Sequence, residues 1–212
     1  MKLNHTFLLF LFLTVAYTCK KNTQIDTKLL SIELNTILEL DQKYRKEMKS
    51  VSSLYGTDSD EWLTLWKKQD RLDSMNLKRI SEIIEKVGSY PGKSLVGEPA
   101  NNVAFFVLQH APDSIQENYF NMIIDASKNG ELAKSLGAKY HDRYLMNKGK
   151  PQIYGTQIRF DFKIDSITGE KETVKYLWPI SDTTNIDSLR LSCNLEPLEA
   201  FLYEFGLSRW GQ

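Results

Sequence analysis

The chain has little of the residue types that most often declare a function. Of its 212 residues only 3 are histidine and 2 are cysteine, and Lys+Arg and Asp+Glu balance at 27 each. Even charge without a basic stripe gives no electrostatic footprint for a phosphate backbone, so no nucleic-acid partner is expected. Histidines at 5, 110 and 141 do not build a multi-histidine zinc site, and no metal-ligand spacing occurs, so neither metal nor cofactor is expected. The GxSxG elbow is missing. "PGKSLVG", Pro91 to Gly97, has the residue types of a phosphate loop but neither its spacing nor a preceding strand. Cys193 sits in "LSCNLEP" without a nucleophile signature.

Long hydrophobic runs are also missing. Phe7 to Ala16 spans about ten residues, half of what a helix needs to cross a bilayer. With Lys2 before it and "AYTC" after it, residues 1–18 read as a signal peptide that exports the chain. "AYTC" resembles a lipobox, and "CKKN" is similar to the leaders of Bacteroidetes lipoproteins. That resemblance implies that Cys19 is lipidated and anchors the protein to a membrane, with 19–27 as lipidated N-terminus and polar tether. Lys20 supplies no acidic retention signal, which points to the outer membrane, on its periplasmic or surface face. Removing 1–18 takes away Lys2 and no acid, which leaves 26 basic against 27 acidic residues, a net charge of −1. An acylated Cys19 leaves Cys193 without a partner, so the domain is held by its core and Cys193 is expected to be buried and inert.

Residues 28–212 suit one globular domain. Apolar spacings of three and four predict helices over 28–54, about 60–87, from Pro99 to about His110, from Asp113 to about Lys128, and over about 131–147. Asp113 and Gln116 have the spacing of a capping box. "QIRFDFKID" alternates and "VKYLWPI" returns, a β-hairpin whose apolar face should pack on the helices. Short helices close the chain near 186–192 and 196–205. The expected fold is mainly α with a small antiparallel hairpin (α+β), a single-domain helical bundle with the hairpin packed on it. Trp62 and Trp66, at i and i+4, are read as core residues before sugar binders.

"DxxNxxRI" (Asp73, Asn76, Arg79, Ile80), "PGKSLVG", "LQHA" (Leu108 to Ala111), "DRY" (Asp142 to Tyr144), "GKPQIYGTQ" (Gly149 to Gln157), "WPISDTTNIDSLR" and "EPLEAFL" occur in this order. Together they resemble a bacterial domain family of unknown function, over about residues 40–205. The resemblance implies boundaries and no activity.

Candidate chemistry centres on His110. Gln109 and His110 stand at a helix C-terminus, where an imidazolium is favoured by about 0.3–1 kcal/mol. His110 with Asp142 or Asp73, and Arg143 as an anion clamp, would form a catalytic set. Gln109, Tyr154, Thr156 and Gln157 are candidate ligand-binding residues, with Asp73, Asn76 and Arg79, which are three apart and could face a common partner. The competing reading makes the same residues a buried polar network that docks the hairpin. Two functions follow: a membrane-anchored envelope lipoprotein that binds or interacts, or a hydrolase using His110 with a carboxylate and Arg143.

Overall fold

The computed structural model describes residues 25–164, 166–167, 169 and 171–208, with the side chains of 171 and 172 excepted. The expected signal peptide, Cys19 and most of the tether lie outside the described residues. No described helix is long and apolar enough to cross a membrane.

The first helix differs from its expected extent. Instead of one helix over 28–54 there are two, α1 (Thr27–Gln42) and α2 (Arg45–Tyr55), broken at Lys43 and Tyr44. The break is held from α3 (Asp60–Val87) by Gln69, which is fully buried. Its amide oxygen accepts the Tyr44 N–H at 3.1 Å, and its nitrogen donates to the Asp41 carbonyl at 2.9 Å. One side chain thus replaces the helical bonds that the break removes, as buried backbone groups require. The start of α1 is capped by Asp26, whose carboxylate accepts the Leu29 N–H, and α3 is capped by Ser59 in the same way.

After α3 the loop carries one helical turn, α4 (Lys93–Val96), and a 3-10 turn at Ala100–Asn102 leads into α5 (Val103–Leu108). The helix expected from Pro99 to His110 is therefore shorter: Gln109 and His110 form the turn that leaves it. α5 is apolar on nearly every side and sits at the centre of the core. Around it pack Leu30, Leu34 and Ile37 of α1, Ile80, Ile83 and Ile84 of α3, Ile123 of α6 (Asp113–Lys128) and Tyr140 of α7 (Lys134–Asn147). α7 starts three residues later than expected. Asp113 opens α6 without a side-chain cap, and Gln116 donates back to the carbonyls of Gln109 and Ala111, so no capping box forms.

The hairpin pairs β1 (Ile158–Ile164) with β2 (Lys171–Leu177), antiparallel, Ile158 opposite Leu177. Its base packs through those two residues on a second apolar cluster, Ile186 of α8 (Ile186–Ser192) with Leu198 and Leu202 of α9 (Leu198–Tyr203). Beyond the base, Phe160, Phe162 and Ile164 are exposed. The fold is mainly helical with one small antiparallel hairpin, the class expected from the sequence.

Candidate functional site

The polar candidates fall into two groups with opposite properties. The first is built under the "YGTQ" loop. Asp142 of α7 is fully buried. Its Oδ1 accepts the backbone N–H groups of Ile153 (2.8 Å) and Tyr154 (3.0 Å), and its Oδ2 accepts the N–H (3.0 Å) and hydroxyl (2.9 Å) of Thr156. The loop can fold onto one carboxylate because Gly155 adopts φ 68°, and a Cβ there would stand 2.8 Å from Ile180 Cδ1. Gln157 donates to the Lys139 carbonyl and to Thr156 Oγ1, while its N–H is accepted by the buried amide of Gln152.

From the other side comes Arg190 of α8, fully buried. It donates to the carbonyls of Tyr154 (2.8 Å), Gly155 (3.0 Å) and Glu196 (2.7 Å), with its guanidinium 5.0 Å above the Phe201 ring. Its signal in the sequence was a charged residue one turn after Ile186 on the apolar side of a short helix. In this group the donors and acceptors are spent inside the protein.

The second group lines a cleft of about 690 Å³ between α3 and the turn after α5. The break at Lys43 and Tyr44 sends Arg45 across to α3, where its Nη2 meets both carboxylate oxygens of Asp73 at 2.8 Å and Asp41 Oδ1 at 3.4 Å. Gln69 donates to Asp73 as well, at 2.7 Å. Burial holds the Asp41 carboxyl above the ordinary carboxylate range, against the opposing pull of Arg45 and Gln42. Arg45 Nε is buried without a hydrogen-bond partner among the described residues.

His110 forms the opposite wall with Val107, Ala111 and Pro112. Burial against that wall, and then the guanidinium charges of Arg45 and Arg143, push its pKa from 6.5 down to about 3. Solvent still reaches the exposed residue and tempers the shift, but the direction makes a neutral imidazole at neutral pH. Among the described residues no hydrogen bond engages its ring. Trp66, Asp70, Ser74, Leu77 and Lys78 complete the α3 side. Trp66 is 46% exposed and stacks on Trp62 with ring centroids 5.4 Å apart and planes 8° from parallel. The expected core packing of the pair is corrected: α3 turns Leu65 and Gln69 inward, which leaves Trp66 on the solvent side.

The sequence candidates are thus separated. His110 and Asp73 share the cleft, whereas Asp142, Thr156 and Gln157 belong to the loop clamp. Arg143 donates to the Gln109 carbonyl at 3.1 Å, so both serve the end of α5. Asp73, Asn76 and Arg79 do not meet one partner. Asn76 is buried and reaches the Ile37 carbonyl at a long 3.5 Å, and Arg79 pairs with Glu33 and Glu82 on the surface. Sequence reasoning missed Arg45, Asp41 and Gln69 as site builders. Cys193 is half-buried, lining a smaller cleft with Tyr154 and His141, and not sealed in the core as expected. No cluster of metal-ligating side chains occurs among the described residues.

A mainly helical domain with a projecting hairpin and a polar cleft between α3 and the turn after α5 is therefore the class of protein that the fold defines. The chain belongs to the family of unknown function DUF6624, whose model matches residues 29–206 and so takes in α1, beyond the reach of the sequence phrases. No curated protein and no solved structure gives a significant match.

Proposed function

We propose that this protein is a membrane-anchored envelope lipoprotein, held by a lipid on Cys19, that binds a small molecule in the cleft between Trp66 and His110. One observation carries the binding part: Trp66, Asp70, Ser74, Lys78 and His110 line the cleft with polar atoms that make no hydrogen bond or ion pair among the described residues. A structural network spends such groups internally, as Asp142 and Arg190 do, whereas a binding site leaves them open. The hydrolase alternative has less support. Among the described residues no carboxylate is hydrogen-bonded to the His110 ring, and the Asp73 carboxylate in the same cleft is occupied by Arg45 and Gln69.

The test is a thermal-shift screen of neutral saccharides, amino acids and dipeptides, nucleotides and dicarboxylates against the wild type and Ser74→Trp, which fills the cleft from its exposed wall. At least one compound should raise the melting temperature of the wild type and not of the variant. If no compound separates the two, the binding reading is wrong. The anchor has its own readout. A metabolic fatty-acid label should mark the wild type, and a label that persists in Cys19→Ser overturns lipidation.

A further inference from the structure

Resting on that reading of the cleft, we propose that its ligand is a neutral saccharide, with one sugar ring stacked on Trp66. Three features select this class. The first is the aromatic platform. Trp62 covers one face of the Trp66 indole in a parallel stack. The remaining α3 residues of the cleft, Asp70, Asp73, Ser74, Leu77 and Lys78, all follow Trp66 by one to three turns, so the face turned away from Trp62 bounds the cavity. An indole held by a second indole beneath it is a rigid, half-wet surface. It suits a ligand that is apolar on its flat face and polar at its edge, which is how the C–H face and hydroxyl rim of a pyranose are arranged.

The second feature is charge. Arg45 and Lys78 are balanced by Asp70 and Asp73, and His110 adds none in its neutral form. An anionic ligand would face two carboxylates and a cationic one two basic groups, whereas an uncharged ligand meets no net field. The third is the kind of polar group present. Ser74 and His110 can each donate or accept, Asp70 accepts, and Lys78 and the Trp66 indole donate. A hydroxyl needs both a donor and an acceptor within reach, and the cleft lining supplies both beside the apolar Leu77, Val107 and Ala111. A volume of about 690 Å³ holds more than one ring, so an oligosaccharide should bind more tightly than its monomer.

The probes are N-acetylglucosamine, glucose, galactose and mannose, with chitohexaose, maltohexaose and xylohexaose, followed by Trp fluorescence and saturation-transfer NMR. At least one should bind the wild type and fail with Ser74→Trp. Trp66→Ala should weaken it about tenfold or more, and Trp66→Phe, which keeps a planar ring, by less. Trp66→Leu replaces Trp66→Ala if the smaller residue does not fold. Saccharide binding that is unchanged by losing the ring overturns the proposal, since the sugar would then sit elsewhere. If amino acids or dicarboxylates bind in a manner sensitive to Ser74→Trp while no saccharide does, the saccharide proposal falls and the cleft reading stands. If no compound of any class binds, both fall.

Discussion

Asp142→Asn is the sharpest test of the division between a spent network and an open cleft. The carboxylate is fully buried and accepts three backbone N–H groups and a hydroxyl. Asparagine keeps the shape but places an NH₂ where one oxygen stood. Turned toward Thr156, it lets the hydroxyl reverse and accept, but the Thr156 N–H is left facing a donor. Turned the other way, it faces the N–H groups of both Ile153 and Tyr154. The better choice leaves one buried N–H unpaired, at about 1–3 kcal/mol, and reduces the remaining bonds from charge-assisted to neutral, at roughly 1 kcal/mol each. Relief from burying a charge offsets part of this, so the expected loss is about 3 kcal/mol. For a domain of this size that lowers the melting temperature by about 6–12 °C. Urea unfolding followed by circular dichroism measures the first quantity and calorimetry the second. Asp73→Asn is the control. Its side chain is 24% exposed, one oxygen can still accept from Gln69, and its pairing with Arg45 is partly solvated, so the loss should stay near 1 kcal/mol or below. If Asp142→Asn unfolds within about 1 kcal/mol of the wild type, the clamp is not what holds the loop, and the sorting of the two groups fails with it.

Three further outcomes follow from the same geometry. Gln69→Leu leaves the Tyr44 N–H and the Asp41 carbonyl without partners and should cost about 2–4 kcal/mol in urea unfolding, with weaker binding of any cleft ligand because Arg45 loses its placement. Gly155→Ala meets both a left-handed backbone and the Ile180 side chain, so calorimetry should show a loss of about 1–3 kcal/mol. For His110, the folded pKa lies below the ordinary 6.5, so below pH 6.5 the unfolded chain takes up a proton that the folded protein refuses. The His110 contribution to stability is then whole above pH 6.5 and is lost as pH falls toward the folded value. Unfolding of His110→Gln between pH 7 and about 4.5 should fall less steeply than that of the wild type, and parallel curves would refute the depression.

The helices were legible because their stripes are long, and Gly88 stops α3 where the second stripe was read to end, although the caps Asp26 and Ser59 carried no signal in that reading. Periodicity could not show the break at Lys43 and Tyr44. Its cause is Gln69, 25 residues beyond Tyr44, and the local apolar spacing runs through the gap without a fault. A trace existed on the other helix. Leu65, Gln69, Asn76, Ile80 and Ile83 form one buried stripe of α3, and a polar residue on such a stripe must be answering a backbone group or another side chain. The same logic applies to Arg190, a cation on the apolar side of α8. His110 was found from the sequence with two candidate carboxylates, Asp142 and Asp73, and Asp142 faces the hairpin loop. The aspartate that shares its cleft is Asp73.

The break, the cleft and part of the depression of the His110 pKa meet in Arg45. An unbroken helix over 28–54 would carry Arg45 onward along its own axis. Because Gln69 satisfies the interruption, the chain restarts at Arg45 with its side chain against Asp73, and the guanidinium that closes this ion pair also faces His110 and opposes its protonation. Breaking that pair from the Arg45 side should therefore act at a distance: Arg45→Met keeps the stem but removes the charge, so the His110 pKa must rise. An NMR titration of the His110 ring protons reads this directly. A His110 pKa unmoved in Arg45→Met would mean that burial and Arg143 set it, and that the broken helix and the histidine wall are neighbours without being coupled.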